Sequence, residues 1–314
     1  MRILFLTHRA DTPSTRYRVS PFVDRLRRAG HDARERVYSS SPVALLGQFR
    51  DVRGADAVVL QKRLPAGWVT RAIRKRARRL LYDFDDAVYL RREGAAPSAT
   101  REKRFDAVLA AADAVVAGNS HLAARAGEHG ARHVTVIPTV IDPARYEAAP
   151  RAPHDGVVAG WIGAGGNLRY LEALLPRLRG LPVRVRVVCD RFPEGVEKVP
   201  WSLEGEAAAV AGMDIGLAPM PDDEWTRGKC GTRVLQYFAA GVPVVADDVG
   251  AHRDLVGEGG FLVASPEAWV ERIRALAADA ELRLRMGTEG RRRLRQAFTP
   301  DAVFPRWLEL LTRA

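Results

Sequence analysis

Short apolar runs alternate with amphipathic segments along the chain. In the first half the runs lie in RILFLTH, DAVVLQK, RLLYDFD, DAVVAGN and HVTVIP, and segments such as SPFVDRLRRAG lie between them. Continuous apolar runs of this length are typical of buried parallel strands, whereas apolar residues three and four positions apart predict helices. The alternation therefore predicts a doubly wound α/β domain.

The alternation stops once and then starts again. Residues 147–156, EAAPRAPHDG, carry two prolines and no periodicity, and they predict a linker. Behind them, strands are predicted in VVAGWIG, RVRVVCD, DIGLAP, PVVADD and GFLVA, and helices over residues 168–178 and 266–277. We therefore predict two Rossmann-like domains that face one cleft, over residues 1–148 and 149–298, and a helix over 299–314 that packs back on the first domain.

Length and composition agree with a globular protein of two domains. The chain has 314 residues, of which 47% are hydrophobic, so it can bury a large core. The apolar run in MRILFLTHRA is too short for a signal peptide, and no segment approaches the ~20 apolar residues of a membrane span. We therefore expect a cytoplasmic protein. Cys189 and Cys230 are too few for a disulfide framework or a zinc site, so both are expected to be free thiols.

The chain is basic, with 49 Lys and Arg against 38 Asp and Glu, a formal net charge of +11. Three interpretations stay open: arginines on solvated helix faces, an anionic membrane surface approached by Arg71 to Arg79, and nucleic acid. Nucleic acid is the least favoured, because no nucleic-acid-binding signature is present and aromatic residues do not interleave with the basic runs. We expect no nucleic-acid partner and leave open a peripheral contact of the basic helices with the inner face of a membrane.

Two loops with unusual composition precede predicted helices. Residues 228–248, GKCGTRVLQYFAAGVPVVADD, predict a buried helix that Gly241 and Pro243 stop. Its start carries Lys229, Gly231, Thr232 and Arg233, and backbone N–H groups with two cations offer a place for an anion. The second loop, after WIG, contains Gly163, Gly165, Gly166 and Asn167, for which a plain tight turn stays the alternative. Because ligands bind beyond the carboxyl ends of parallel strands, the two loops together predict a diphosphate site.

These segments resemble the GT-B glycosyltransferases of family 4, which are retaining enzymes that use nucleotide-sugar donors. The resemblance runs through RYRVSPFVDRLRRAGHD, YDFDDAVY, VIPTVIDPARY, WIGAGGNLRYL, DIGLAP and, most specifically, KCGTRVLQYFAAGVPVVA. It implies that the helix N-terminus meets the donor diphosphate and that a residue of this helix, often glutamate, holds the nucleotide ribose. Gln236 stands at that position here.

The chain departs from the family pattern at two further places. A second family glutamate, eight residues before the first, is replaced by Gly228, so recognition of the donor sugar would pass to Asp222, Asp223 or Glu224. The glycine pair of the first strand-to-helix loop is replaced by TPSTRYR. That change would bring Arg16 and Arg18 near the cleft, although surface charges at a helix start are the alternative.

Roles at the donor site follow as hypotheses. Lys229 and Arg233 would neutralise the leaving diphosphate, and the three glycines of the second loop would admit its phosphates to backbone donors. Trp201, which follows Val199 in a strand pattern, would flank the nucleobase or belong to the core. Cys230 would be a spacer, with an acidified thiol as the alternative.

The catalytic groups are less clearly marked. Asp85 and Asp86 follow a predicted strand, and adjacent residues on an extended segment point to opposite sides, so at most one of them would reach the substrate. In the absence of a clear nucleophile or base, the leaving phosphate itself would accept the acceptor's proton, which leads to retention. If retention fails, Asp85, Asp86 and His8 are the candidate bases.

Our primary interpretation is a metal-independent hexosyltransferase that needs no cofactor and whose acceptor is a glycan, a lipid-linked intermediate or a small natural product. One alternative is a haloacid dehalogenase-like phosphatase, with Asp83 and Asp85 as its DxD and Asp247 and Asp248 as its magnesium-binding pair. Another is a catalytically degenerate sugar-nucleotide-binding protein, since Gln236 and Gly228 are changes that a degenerate site would show.

Overall fold

The computed structural model describes residues 1–151 and 153–312. They form two compact units: the first contains Met1–Val140, Asp223–Cys230 and the chain from Val303 onward, and the second contains Ile141–Asp222 and Gly231–Ala302. This division differs from the limits expected from the sequence at residues 141–148, 223–230 and 299–302. Ala152 of the predicted linker and residues 313–314 of the predicted last helix lie outside the described residues.

The first unit is built on a parallel sheet. Its strands are β1 (Arg2–Thr7), β2 (Asp32–Val37), β3 (Ala57–Gln61), β4 (Arg79–Phe84), β5 (Ala114–Ala117) and β6 (Val134–Val136). They lie in the order β2-β1-β3-β4-β5-β6, and every pair is parallel. The strand order reverses between β1 and β3, and in doubly wound sheets a ligand-binding crevice forms at the carboxyl ends beside such a reversal.

Helices cover both faces of this sheet. They are α1 (Pro13–Arg18), α2 (Ser20–Arg28), α3 (Pro42–Gly54), α4 (Gly67–Arg76), α5 (Ala99–Ala111) and α6 (Ser120–Glu128), together with the later α10 (Glu224–Arg227) and α15 (Pro300–Thr312). Alternate strand residues point to opposite faces, so that Leu4 and Leu6 pack in one core and Ile3 and Phe5 in the other. Trp307 of α15 belongs to the second of these cores, with its ring 6.1 Å from that of Phe5.

The second unit has its own parallel sheet. Its strands are β7 (Val157–Ile162), β8 (Val183–Cys189), β9 (Glu197–Pro200), β10 (Ile215–Ala218), β11 (Val244–Asp247) and β12 (Gly260–Val263). The order β12-β11-β10-β7-β8-β9 is that of the Rossmann dinucleotide-binding fold, with its reversal between β7 and β10.

The helices of the second unit alternate with these strands. They are α7 (Pro143–Glu147), α8 (Leu168–Leu178), α9 (Glu206–Ala211), α11 (Thr232–Ala240), α12 (His252–Leu255), α13 (Pro266–Ala278) and α14 (Ala280–Ala297), with short 3-10 turns at Gly165–Asn167 and Gly257–Gly259. The predicted α/β class, with two Rossmann-like doubly wound domains, is confirmed.

Tyr237 fixes α11 on the second sheet. Its ring packs on the backbone of Gly216, where a Cβ would come within 2.4 Å of the ring. Its hydroxyl lies 3.1 Å from the carbonyl oxygen of Gly160 and 3.0 Å from that of Leu217. The first turn of α11, which carries Arg233, is therefore held at the carboxyl ends of β7 and β10.

Candidate functional site

The glycine-rich loop after β7 lies in close contact with the side chains of Trp161 and Arg233. The sequence predicted that its glycines would allow a phosphate to approach the backbone. A Cβ on Gly163 would lie 2.7 Å from the ring of Trp161 and 2.8 Å from Nη2 of Arg233. The N–H of Gly163 donates to the carbonyl oxygen of Val188, and the N–H of Gly165 donates to Oδ1 of Asp190 at 2.8 Å. Gly166 faces open space, with nothing within 4 Å of a Cβ built on it. Gly163 is thus required for packing, and Gly166 is the glycine of this loop that leaves room for a ligand.

Arg233 lies beside this glycine-rich loop. Its Nε donates to the carbonyl oxygen of Ile162 at 2.5 Å, and its guanidinium lies 4.6 Å from the centroid of the Trp161 ring. Within residues 1–151 and 153–312 it makes no ion pair. The side chain is half-buried, and burial, which removes water from the guanidinium, lowers the pKa of Arg233. A positioned cation of this kind is suited to bind an anion.

The N-terminus of α11 adds to this positive potential. Gly231 precedes the helix with φ of 62°, in the left-handed region, and a Cβ there would lie 2.2 Å from Cδ1 of Leu255. Thr232 is the first helical residue, and the first-turn N–H groups of this nine-residue helix carry partial positive charge. The structure thus places Gly231 and Arg233 on either side of Thr232 at the N-terminus of α11; that this terminus binds an anion stays a prediction.

His252 lies close to Gly231 and escaped the sequence analysis. It is buried in α12, and its Nδ1 donates to the carbonyl oxygen of Asp247 at 2.9 Å. Burial is the main cause that lowers the pKa of His252 to about 4, and the nearby charge of Arg233 lowers it further. The imidazole is therefore neutral at pH 7, with its proton on Nδ1.

Two predicted nucleoside-binding residues are linked by a polar network. Nε2 of Gln236 donates to the hydroxyl of Tyr146 at 3.1 Å, and that hydroxyl donates to Oε1 of Glu206 at 3.0 Å. Nε1 of Trp201 donates to Oε2 of the same glutamate at 2.9 Å, and Arg145 pairs with it at 3.4 Å. Trp201 is 41% exposed, so the alternative that it belongs to the core does not hold. Tyr146 and Glu206 carry no local signal that would have marked them in the sequence.

In the first unit, Asp85 and Asp86 form an ion-pair cluster with two lysines. Nζ of Lys62 lies 3.2 Å from Oδ1 of Asp85 and also contacts Oδ2 of Asp86, while Nζ of Lys229 lies 2.9 Å from Oδ1 of Asp86. The expectation that the two aspartates point to opposite sides is wrong, because β4 ends at Phe84 and both residues lie in a bend. Burial would raise the pKa of Asp85, but Lys62 and Arg18 outweigh it and hold that pKa below its usual range.

Lys62 is a further residue that sequence reasoning missed. It directly follows β3 and has φ of 56°, a left-handed conformation that lysine rarely adopts. In addition to its contacts with the carboxylates of Asp85 and Asp86, Nζ of Lys62 donates a hydrogen bond to the hydroxyl of Ser14 at 2.9 Å. Strained backbone held by several polar contacts is frequent at functional sites.

The segment 223–230, which contains Glu224 and Lys229, packs within the first unit. Glu224 accepts a hydrogen bond from the Tyr89 hydroxyl at 2.7 Å and pairs with Arg125 at 3.2 Å. Asn119 holds the segment through its Nδ2, which donates to the carbonyl oxygen of Lys229 at 2.9 Å. Lys229 and Glu224 therefore both have protein partners of opposite charge, unlike Arg233.

Cys230 fills a tight space at the end of that segment. A Cβ on Gly118 would lie 2.3 Å from its Sγ, and the thiol donates to the carbonyl oxygen of Asp85 at 3.3 Å. Burial, with a smaller contribution from Asp85, raises the pKa of Cys230 well above its usual range. The thiol is therefore a packing group, and the alternative of an acidified thiol does not hold.

The arginines of the first strand-to-helix loop differ in environment. Arg18 is buried, and its guanidinium donates to both carboxylate oxygens of Asp83, at 3.2 and 2.5 Å, and to the carbonyl oxygen of Ile137. It is a structural ion pair rather than a ligand-binding group. Arg16 is half-buried, with its guanidinium 5.2 Å from the ring centroid of Tyr17.

The acidic pairs of the phosphatase alternative are occupied by protein groups. Asp83 is fully buried by Arg18, so it is not available as a nucleophile. Asp247 accepts from the N–H of Met220 and from Nε1 of Trp269, and Asp248 pairs with Arg253 at 2.7 Å. Across the described residues, no group of three or more His, Cys, Asp or Glu side chains is placed to hold a metal ion.

A comparison with known protein families matches most of the second unit. Residues 162–279 match the family model described as Glycosyl transferases group 1. This match includes the glycine-rich loop, Arg233 and Gln236. Among curated proteins, no sequence matches the chain.

Solved structures match the whole chain. Sucrose-phosphate synthase from Thermosynechococcus elongatus superposes with a TM-score of 0.78 at 16% identity, over 99% of this chain and 98% of that one. Anabaena HepE, solved in complex with UDP-glucose, gives a TM-score of 0.73 at 14% identity over 100% of both chains. WaaG, a glycosyltransferase involved in lipopolysaccharide biosynthesis, gives 0.70 at 13% identity, over 99% and 100%.

The protein therefore has the GT-B fold, and the resemblance to GT-B glycosyltransferases that its motifs show is confirmed. Within the described residues, no helix is both long and apolar enough to cross a membrane.

Proposed function

We propose that the protein is a glycosyltransferase that moves a sugar from a nucleotide diphosphate to a hydroxyl acceptor, with retention of anomeric configuration. The observation that carries the proposal is Arg233, a half-buried cation in the first turn of α11 that lies against the loop after β7 and has no carboxylate partner among the described residues. The family match over residues 162–279 and the GT-B fold support it.

The donor lies on the second unit in this proposal. Its diphosphate binds Arg233, the α11 N-terminus and the open backbone at Gly166, and its nucleoside lies at Trp201 and Gln236. Anabaena HepE, which has the same fold, is a structure solved with UDP-glucose, which supports a nucleotide sugar as donor.

Bond cleavage develops negative charge on the leaving diphosphate. A planar guanidinium and a helix N-terminus stabilise that charge without reorganising, which is the usual way in which enzymes lower such barriers. We propose that these groups make a divalent metal unnecessary. Arg233 takes this role rather than Lys229, because the ammonium of Lys229 is paired with Asp86.

Retention is proposed on electrostatic grounds. Lys62 and Lys229 neutralise Asp85 and Asp86, and the lowered pKa of Asp85 makes it a weak base. The acceptor oxygen then bonds to the anomeric carbon on the face from which the phosphate oxygen leaves. The acceptor's proton passes to that phosphate oxygen, so the atoms balance without a protein base.

The test of the donor site is a thermal-shift screen with UDP, GDP, ADP and dTDP. A ligand that binds the native state alone adds about 2.7 kcal/mol of stability at ~100 times its Kd, so at least one nucleotide should raise the melting temperature visibly. Arg233→Ala should lose most of that shift. Arg272→Ala is the matched control, because Arg272 also stacks on an aromatic ring, that of Phe261, in the same unit. If no nucleotide stabilises the protein, the proposed donor site is wrong.

Turnover separates an enzyme from a protein that only binds sugar nucleotides. With an α-linked donor, proton NMR should show an α-linked product, and the rate should survive EDTA. A β-linked product would refute same-face transfer and return attention to Asp85, Asp86 and His8 as bases. Nucleotide binding without turnover on any acceptor would favour the binding-protein alternative.

A further inference from the structure

The outward faces of α3 and α4 in the first unit expose large apolar side chains. Val43 and Leu46, in the first turns of α3, are 81% and 73% exposed, and Trp68, in the first turn of α4, is 57% exposed. Exposed apolar side chains of this size lose the free energy that their burial would gain, and a group of them on one surface marks an interaction site.

Basic residues continue the same two faces. On α3, Val43, Leu46, Arg50 and Arg53 follow each other at i, i+3, i+7 and i+10, which places them on one side of the helix. On α4, Trp68, Arg71 and Lys75 have the corresponding spacing of i, i+3 and i+7. All four cations are exposed. Each helix therefore presents an apolar tip followed by two cations.

In the part of the chain that the structure describes, none of these four cations, Arg50, Arg53, Arg71 and Lys75, makes an ion pair. Other exposed arginines of the same unit do: Arg34 pairs with Asp32 at 2.8 Å, and Arg78 with Asp56 at 3.1 Å. The sequence of α4, GWVTRAIRKR, contains no acidic residue. The positive charge of this surface is therefore uncompensated, unlike that of an ordinary solvated helix face.

The two faces lie side by side with the same direction. α3 connects β2 to β3 and α4 connects β3 to β4, so both helices run antiparallel to the parallel strands. The helices pack on each other, and the guanidinium of Arg76 lies 4.8 Å from the centroid of the Phe49 ring. Both apolar tips therefore lie at the carboxyl edge of the first sheet, the edge that also carries Lys62, Asp85 and Asp86.

We propose that the α3–α4 surface, formed by Val43, Leu46, Arg50, Arg53, Trp68, Arg71 and Lys75, docks the protein on an anionic lipid bilayer. The apolar tips enter the boundary between headgroups and acyl chains, and the four cations meet the lipid phosphates. A bilayer fits better than a nucleic acid, because a phosphate backbone would leave Val43 and Leu46 without an apolar partner. Docking would bring the carboxyl edge of the first sheet to the lipid surface, where a lipid-linked acceptor could reach it; that last step rests on the proposed function.

Vesicle co-sedimentation with the full chain tests the docking. The protein should bind vesicles of equal parts phosphatidylcholine and phosphatidylglycerol, and it should not bind vesicles of phosphatidylcholine alone. Raising the ionic strength should release it, because exposed charges are screened within a few ångströms at high salt. Equal binding to both vesicle types, or binding to neither, would overturn the proposal, as would tighter binding to single-stranded nucleic acid than to anionic vesicles.

Two sets of variants distinguish binding through the α3–α4 surface from binding through the net positive charge of the whole protein. Each cation near an anionic surface contributes about fivefold to the partition coefficient, so the quadruple variant R50A/R53A/R71A/K75A should bind more than about 100-fold less tightly. The control quadruple R179A/K198A/R274A/R285A removes the same charge from exposed positions of the second unit and should stay close to wild type. An equal loss in both quadruples would refute a localised surface.

Separate variants test whether the apolar tips insert into the bilayer. Trp68→Ser and Leu46→Ser should each lower anionic-vesicle binding by about tenfold, because insertion loses its apolar area. Leu284→Ser is the matched control, since Leu284 is also 73% exposed but lies on α14. Unchanged binding in both tip variants would refute insertion. All these variants should keep the nucleotide thermal shift, so failure of docking and failure of the donor site are distinguishable.

Discussion

The buried imidazole of His252 should make the free energy of unfolding depend on pH. In the unfolded chain a histidine has a pKa near its ordinary value of 6.5, whereas burial lowers the pKa of His252 to about 4 in the folded protein. The unfolded chain therefore binds the proton first as the pH falls. The contribution of His252 is fully present above pH 6.5 and is lost between about pH 6.5 and about pH 4.

The size of the effect follows from the difference between the unfolded and folded pKa values of His252. The whole pKa difference corresponds to about 3 kcal/mol of the free energy of unfolding, and about 2 kcal/mol of it should already be lost on going from about pH 7.5 to about pH 5. Because a typical domain is stable by only about 5–15 kcal/mol, this loss is easily measured. Other groups also titrate in this range, so the quantity to compare is the difference in pH dependence between wild type and a variant.

Urea unfolding at about pH 7.5 and about pH 5 measures this difference. His252→Gln removes the titrating group and should flatten the pH dependence by about 2 kcal/mol, whatever its effect on absolute stability. His133→Gln is the control, since His133 is exposed in the same protein. If His252→Gln loses as much stability between the two pH values as wild type does, the imidazole is not held neutral by burial and the reasoning fails.

Two more substitutions test close contacts. Gly163→Ala places a Cβ 2.8 Å from Nη2 of Arg233, so we expect a loss of about 1–3 kcal/mol and weaker nucleotide binding, while Gly166→Ala keeps its stability; urea unfolding and UDP titration measure both. Wild-type affinity in Gly163→Ala would show that the loop does not position Arg233. Asp83→Asn leaves the buried Arg18 without its anionic partner and should cost about 3–5 kcal/mol in urea unfolding, and a cost below about 1 kcal/mol would contradict a buried ion pair.

Elements with a strong apolar pattern could be predicted from the sequence. The predicted helix over residues 168–178 coincides with α8, Leu168–Leu178, and the apolar runs correspond to buried strands such as β3, β5 and β10. The buried strands are apolar at nearly every position, and the helices have a continuous apolar face, so the sequence pattern reports directly which residues are buried.

Strand β2 was beyond this reasoning. Its sequence, DARERV, has one fully buried residue, Ala33, and it lies at the edge of the first sheet beside β1. An edge strand gains its stability largely from backbone hydrogen bonds to its neighbour, and these leave no trace in the side-chain pattern. Lys62, Tyr146 and Glu206 could not be recognised for another reason, which is that their contacts are with residues far away in the sequence.

By itself, the sequence determined the alternation of strands and helices, the two Rossmann-like sheets and the position of the two loops that are proposed to bind an anion. These features depend on residues within a few positions of one another. The tertiary structure decided which cation remains available to a ligand. Lys229 and Arg233 are four residues apart and look equivalent in the sequence. Asp86, 143 residues before Lys229, pairs with that lysine, whereas Arg233 contacts a carbonyl oxygen and an aromatic ring and makes no ion pair among the described residues. Charge compensation acts over a few ångströms in space, so only the folded chain could distinguish the two.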